Sequence, residues 1–438
     1  MRPRPSRPRL LQAMFDAFSL PDLRRRILIT VGILVIFRFV AHVPLPGVDQ
    51  TALQALFERN ALLGMLDMFS GGAMRRLSVA AMGVYPYITA SIIMMLLVPV
   101  IPRLQALSRE GETGRNKINL ITHWLVVPLA SIQGYGQLVY LQRQTPPVIG
   151  TTETLPMAAM VLSMVAGTIF LVWLGELITE YGIGNGISII IFGGIVARLP
   201  EMIGQGFLAR ENFLGLTFYI LIVVLTISVI VIFTEAHRRI PVQYAKSVFR
   251  SGRMYRQSGT THIPLRVNSA GMIPLIFAMS LVIFPGIVAS YFANPAEPNF
   301  ADWVMRLFNP RAPLPLGLFY WGLYFAMAVA FTFFYTMVIY QQQDLPGVLQ
   351  RQGGFIPGIR PGRNTATYLN GVINRITWGG ALFLASVAVM PFVARELTNI
   401  EVIQLSSLGL IIMVGVVLDT MKQLEAQLVM RRYEGFIR

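Results

Sequence analysis

The chain has 438 residues, of which 54% are apolar and 13% charged, and it carries a formal net charge of +15. A soluble domain is about a quarter charged residues, so this balance excludes an ordinary water-soluble enzyme and makes lipid the solvent. With no cysteine and four isolated histidines (His42, His123, His237, His262), a disulfide scaffold, a cysteine nucleophile and a histidine-rich metal centre are excluded too.

Apolar residues arrive in blocks of about 20, the length a helix needs to cross a hydrocarbon core of about 30 Å. In chain order the predicted spans are 27–43, 77–101, 119–140, 155–178, 185–203, 213–233, 269–291, 316–339, 369–392 and 403–421. This is the pattern of an all-α polytopic membrane protein with about ten transmembrane helices. Arg24, Arg25 and Arg26 precede the first run, which contains Arg38 and ends in HVPLPGVD without a small-x-small cleavage pattern. That run is expected to stay in place as the first span.

Between the first two spans lies ALLGMLDMFSGGAMRR (61–76), whose apolar stretch of about nine residues is too short to cross a bilayer. It carries Asp67 and ends in Ser70-Gly71-Gly72, a predicted hinge. Two readings stay open: an amphipathic surface loop, or a lid folded into a pore. Irregular backbone at membrane depth survives only where protein buries it or it lines a wet cavity. The link YGIGNG (181–186) is short enough to make the fourth and fifth spans antiparallel neighbours, packed closely through small residues.

Lysine and arginine divide unevenly between the two faces. The segments 1–26, 102–118, 179–184, 234–268, 340–368 and 422–438 hold 25 of them, against 8 in 44–76, 141–154, 204–212, 292–315 and 393–402. The positive-inside rule then puts both termini in the cytoplasm. Two cytoplasmic segments, 234–268 and 340–368, are longer and more aromatic than topology requires, and they suit docking to a large RNA-rich or acidic partner.

No residues point to catalysis, a nucleotide or another cofactor. GETGRNK (111–117) lacks P-loop spacing, and GIGNGIS (182–188) has its glycines at the wrong intervals for a dinucleotide turn. The ionisable residues inside spans, Arg38, Glu176, Arg198, Arg375 and Asp419, mostly lie near helix ends, where snorkelling or a paired neighbour accounts for them. The absence of a central acidic pair counts against the alternative of an ion-coupled secondary transporter of small solutes. Thr89, Ser91, Gln133, Asn268 and Ser269 are uncharged polar residues that fit interhelical hydrogen bonds or a seam able to part sideways. Val84, Ile88 and Ile92 recur every four residues and so share a helix face, as do Ile187 and Ile191. Alone, such isoleucines fit a core or a lipid-facing stripe equally well.

The runs FRFVAHVPLPGVD (37–49), GVYPYITASIIMMLL (83–97), WLGELITEYGIGNGISIIIFGGIVARLP (173–200), RRIPVQYAK (238–246), VNSAGMIPLIFA (267–278) and FIPGIRPGRNTATYL (355–369) resemble the SecY family, collinearly from the first span to the last. The resemblance implies a protein-conducting channel that translocates unfolded secretory polypeptides and releases transmembrane segments sideways into the bacterial cytoplasmic membrane. It implies a tail, 1–26, and two inverted five-helix halves, 27–204 and 205–438, around an hourglass pore. By motif position the aliphatic pore ring is Val84, Ile88, Ile187, Ile191, Ile276 and Ile412, with Ile411 the alternative to Ile412. Valine at 84, where isoleucine is familiar, would widen the waist slightly.

Segment 61–73 resembles the plug, with Leu62, Leu63, Met65, Leu66, Phe69, Ser70, Gly71 and Gly72 as its body and hinge. By the same resemblance, Thr89, Ile92, Gln133, Asn268 and Ile283 would fall on the family's lateral gate. Arg250, Arg253 and Arg256 fit phosphate contacts to ribosomal RNA, and Arg360 in PGIRPG matches the arginine needed by the SecA motor ATPase. The partners implied are SecE-like and SecG-like subunits, SecA, the ribosome, the passing polypeptide and the bilayer.

Overall fold

The computed structural model describes residues 20–59, 63, 67, 70–142, 144, 147–150, 153–208, 213–250, 253–292, 299–310, 312, 315–398 and 407–437. Fourteen α-helices account for most of them. They are α1 Pro21–Val40, α2 Gln50–Arg59, α3 Tyr85–Leu97, α4 Pro102–Arg109, α5 Glu112–Gln142, α6 Thr154–Tyr181, α7 Gly186–Leu208 and α8 Phe213–Glu235. After a hairpin of β1 His237–Arg250 and β2 Arg253–Arg266 come α9 Ile273–Phe292, α10 Phe300–Leu307, α11 Leu316–Gln343, α12 Leu345–Arg351, β3 Gly354–Phe355, α13 Arg363–Thr398 and α14 Ser407–Ile437.

A helix stands at each of the ten predicted spans. Among the described residues, Thr154–Tyr181, Ile273–Ser290, Leu316–Arg351 and Arg363–Met390 are each long and apolar enough to cross a membrane alone. Tyr85–Leu97 and Pro102–Ser108, bent by 102°, qualify as a broken pair. Many of these helices present apolar side chains outward. Leu28, Val31, Val35, Ile36 and Phe39 are exposed along α1, and Ile220, Leu221, Val224, Leu225 and Ile232 along α8. Water would penalise that much contiguous apolar surface, whereas hydrocarbon accepts it.

The second predicted span differs from its expectation. Helix α3 begins at Tyr85, not near 77, and its 13 residues reach about 20 Å at 1.5 Å per residue. The backbone before it cannot be helical. Leu77 takes φ 42° and Gly83 φ 57°, and residues 77–79 are engaged elsewhere: Leu45 N–H donates to the Leu77 carbonyl at 3.0 Å and Val79 N–H to the Val43 carbonyl at 3.0 Å. The segment after α1 and the segment before α3 are thereby laced together. On the same side, Asp49 accepts from the Thr51 hydroxyl and from the Thr51 and Ala52 N–H groups at the start of α2. Those bonds, led by the hydroxyl, hold its carboxyl below the usual carboxylate range.

Contacts group the chain into two units. The first comprises Met1–Phe213, Ser280–Trp321 and Ile400–Arg438. Within it, α3 packs along α5, α5 along α6, α6 along α7, and α7 against α14. The α6–α7 link is tight. The Thr179 hydroxyl donates to the Gly175 carbonyl at 3.0 Å and accepts from Gly186 N–H at 2.9 Å, while the Asn185 side chain caps α7 through Ser188 N–H. Gly184, at φ 84°, makes the left-handed turn this path needs.

The second unit comprises Leu214–Met279 and Gly322–Asn399. The predicted loop 234–268 is a folded antiparallel hairpin here, registered from His237↔Arg266 to Arg250↔Arg253. Strand β3, from the other predicted loop, adds to it through Gln243↔Phe355 and Tyr244↔Gly354, giving the order β2–β1–β3. Ile240, Val242 and Leu265 from the hairpin, Leu349 from α12, Ile356, and Leu369 and Val372 from α13 close one apolar cluster beneath the sheet.

Candidate functional site

The segment after α2 is where sequence leaves two readings open, and its described residues are buried. Leu63 is 5% exposed, and Asp67 and Ser70 are 0% exposed. Leu63 joins a core cluster with Leu53, Phe57, Met74 and Leu77. The predicted plug residues Leu62, Met65, Leu66 and Phe69 lie outside the described residues.

Asp67 organises the end of this segment. Its backbone carbonyl accepts from the Ser70 hydroxyl at 3.0 Å and from Gly72 N–H at 3.1 Å. Its carboxylate lies 3.3 Å from Arg75 Nε and accepts from Arg75 N–H at 3.2 Å. Ser70 Oγ accepts in turn from Met74 N–H at 3.1 Å. A buried carboxylate needs such partners, because desolvation otherwise drives it to neutralise.

Gly71 and Gly72 follow at φ 66° and 88°, a region that side chains avoid. A methyl group on Gly71 would also stand 2.7 Å from Gly194 Cα of α7 and 2.8 Å from the Phe37 ring of α1. The glycines thus serve close packing as well as the turn. Arg38 Nη1 donates to the Gly71 carbonyl at 2.8 Å.

The ring candidates divide between the units. In the first, Val84 precedes α3 at 0% exposure, with Ile88 at 5% and Ile92 at 6% on successive turns of the same face. Ile191 of α7 and Ile412 of α14 are buried, and Ile187 is half-buried with its Cδ1 over Gly175. In the second unit, Ile276 of α9 is buried. The Ile411 side chain lies outside the described residues.

Of the gate candidates, Thr89 is half-buried and donates to the Tyr85 carbonyl of its own helix at 3.1 Å. Gln133 is half-buried on α5, and Ile283 is fully buried on α9. Asn268 is 9% exposed, with an Oδ1 that meets no hydrogen-bond partner among the described residues. Helices α3 and α9 are joined by the Tyr85 hydroxyl, which donates to the Ser280 carbonyl at 3.4 Å. Glu176, one of the ionisable residues within spans, sits 3.1 Å from His123 Nε2.

The backbones of Arg250, Arg253 and Arg256 form the tip of the hairpin, and their side chains lie outside the described residues. Arg360 is exposed, in a turn framed by Gly358 at φ 83° and Gly362 at φ 100° and tied by the Thr365 hydroxyl to the Arg360 carbonyl at 3.0 Å. At about 3.3 Å per residue, the seven residues from Gln243 to Arg250 carry the tip about 23 Å past the β1–β3 pairing. The arginines therefore form two groups, one at the tip and one beside the base. Period-two alternation through Ile240, Val242 and Tyr244 is the signal that could have revealed the strand.

The family model for SecY matches residues 78–421. The chain belongs to the SecY family. It is 42% identical to the protein translocase subunit SecY of Streptomyces lividans, with 98% of this chain and 100% of the relative aligned. It is 40% identical to that of Thermotoga maritima, covering 98% of each. SecY membership makes the chain a ten-span, mainly α-helical membrane protein and a protein-conducting subunit in translocation.

The fold agrees with that assignment. A solved protein-conducting channel superposes with TM-score 0.65 at 15% identity, covering 95% of this chain and 97% of that one. A SecY structure in which the plug domain stabilises the closed state and maintains a membrane seal gives the same values. Canine Sec61, from a ribosome–channel complex of the endoplasmic reticulum, gives TM-score 0.62 at 14% identity, with coverage of 95% and 97%.

Proposed function

We propose that this SecY chain passes unfolded polypeptides through a waist made by Val84, Ile88, Ile187, Ile191, Ile276 and Ile412, closed at rest by segment 61–73. One observation carries the closure: Leu63, Asp67 and Ser70 are buried and Gly71 is wedged against α1 and α7, where an amphipathic surface loop would leave such residues exposed. A narrow aliphatic waist dewets and so resists ions. It also yields to any passing sequence, because branched side chains give way by changing rotamer without leaving a hydrogen bond unmade.

Thr89, Ile92, Gln133, Asn268 and Ile283 serve the sideways exit. Their uncharged character keeps the energetic cost of parting low, and the long Tyr85–Ser280 hydrogen bond is a contact that a wedging signal sequence could replace. Segments then choose lipid over the aqueous pore by hydrophobicity. The Lys/Arg imbalance of 25 to 8 supports cytoplasmic termini, and the bacterial SecY relatives support an inner-membrane location. The cytoplasmic sheet would then receive partners at two places. Arg250, Arg253 and Arg256 suit phosphates of ribosomal RNA, in keeping with the ribosome complex of canine Sec61. Arg360, on its braced turn, suits a SecA-like motor. SecE-like and SecG-like subunits complete the assembly.

The absence of cysteine makes the test direct. Single cysteines at Ile88, Ile191 and Ile276, with a control at Leu221 (59% exposed on α8), are assayed for disulfides to a cysteine in a secretory chain arrested in transit. Crosslinks at the three waist positions and none at Leu221 are expected. Their absence at all three, in membranes that still export the unarrested chain, overturns the waist.

A further inference from the structure

Arg38 stands out as a charge within the first span without a charged partner among the described residues. Its half-buried guanidinium is spent on a backbone carbonyl 33 residues away, that of Gly71, at 2.8 Å. That carbonyl belongs to a left-handed turn, outside any helical ladder that could occupy it. Two more contacts make a seat for the turn: the Phe37 ring, 1% exposed, and the Gly194 backbone, which approaches so closely that a methyl group on Gly194 would stand 2.6 Å from Gly71 Cα. Adjacent residues of α1 thus supply the wall and the bond, and α7 supplies the opposite wall.

At the segment's end, the Asp67–Arg75 pair and the Ser70–Met74 bond run to the short turn that follows it, within residues 67–75. Among these polar contacts, the Arg38 bond is the one that ties the segment to a membrane helix. We infer that Arg38 is the latch of the closed channel: its guanidinium holds the Gly71 turn in the α1–α7 seat, and that bond must break before the segment leaves. Arg38 is a positioning residue, and the inference rests on the reading of 61–73 as a plug. A charged donor on a carbonyl is stronger than a neutral pair, and its loss should favour the displaced segment by about tenfold.

The test uses the full chain, assembled in membranes with its partner subunits and carrying Leu63→Cys as the sole cysteine. A membrane-impermeant maleimide is applied from the external face. Modification is expected to be slow in resting channels, about tenfold faster with Arg38→Met, and near the original rate with Arg38→Lys, which keeps a donor. Arg38→Met should also gain export of a reporter with a disabled signal sequence while retaining export of the intact one, a pairing that mere structural damage does not produce. If Arg38→Met fails to accumulate, Gly194→Ala, which crowds the turn from the other wall, must speed labelling in the same way.

Suppose an arrested chain speeds labelling in the Arg38 channel, but Arg38→Met (or, where it fails to accumulate, Gly194→Ala) does not do so at rest. The latch is then wrong and the plug reading stands. If an arrested chain in the Arg38 channel leaves the rate unchanged, the plug reading fails and the latch falls with it.

Discussion

Gly186→Ala and Gly175→Ala form a matched pair that tests how rigidly α7 is set against α6. A methyl group on Gly186 would stand 2.6 Å from the Gly175 carbonyl carbon and 3.0 Å from its Cα, with the carbonyl oxygen closer still. All three atoms belong to backbone inside a 28-residue helix, so no rotamer change relieves the overlap. The helices must part by about 1 Å or more, which also breaks the Thr179 bridge from Gly186 N–H to the Gly175 carbonyl. Overpacking of this kind costs about 3 kcal/mol or more.

The reciprocal change meets something softer. A methyl group on Gly175 would stand 2.6 Å from Ile187 Cδ1, the free end of a side chain, and 3.3 Å from Ile187 N. Turning that side chain costs about 1 kcal/mol, and replacing a mid-helix glycine with alanine returns about the same. Gly175→Ala should therefore be nearly neutral in stability. The assay heats detergent-solubilised protein, measures the surviving monodisperse fraction by size exclusion, and follows export of a secretory reporter in cells. Gly186→Ala should lower both strongly and Gly175→Ala neither by much. Equal stability of Gly186→Ala and the unmodified chain, or equal damage from the two substitutions, would refute the reasoning.

Two further outcomes are expected. Replacing Ile88 and Ile191 together with serine should wet the waist, so that planar-bilayer recordings show a resting ion leak; a tight double variant would remove these residues from the ring. Reversing Arg250, Arg253 and Arg256 to glutamate should weaken ribosome binding in sedimentation assays by at least tenfold and flatten its salt dependence, and an unchanged salt slope would mean that the tip does not touch phosphate.

The spans were legible because a helix that crosses lipid must be a long apolar run, and the motifs around GIGNGIS and PGIRPG carried the family. Arg38 was not legible in the same way. Charge near a helix end is ordinarily accounted for by snorkelling, and its actual partner is a carbonyl exposed only because Gly71 and Gly72 turn left-handed. The hairpin was hidden by composition. Its arginines read as a solvated loop, although Ile240 and Val242 alternate as an inward strand face should. That Gln243 would pair with Phe355 is a long-range choice of the fold, beyond what local propensity can indicate.

That pairing has a mechanical meaning. Because β3 is hydrogen-bonded to β1, and the cluster beneath joins Ile240, Val242 and Leu265 to Leu369 and Val372 of α13, the hairpin behaves as a cantilever clamped at its root. A body that tilts the free end bends no loose tether; it applies torque at the clamp. The torque passes into a 36-residue helix and into the braced turn that bears Arg360. Load on the free arm is in this way felt by a membrane helix, with stiffness in place of slack between them.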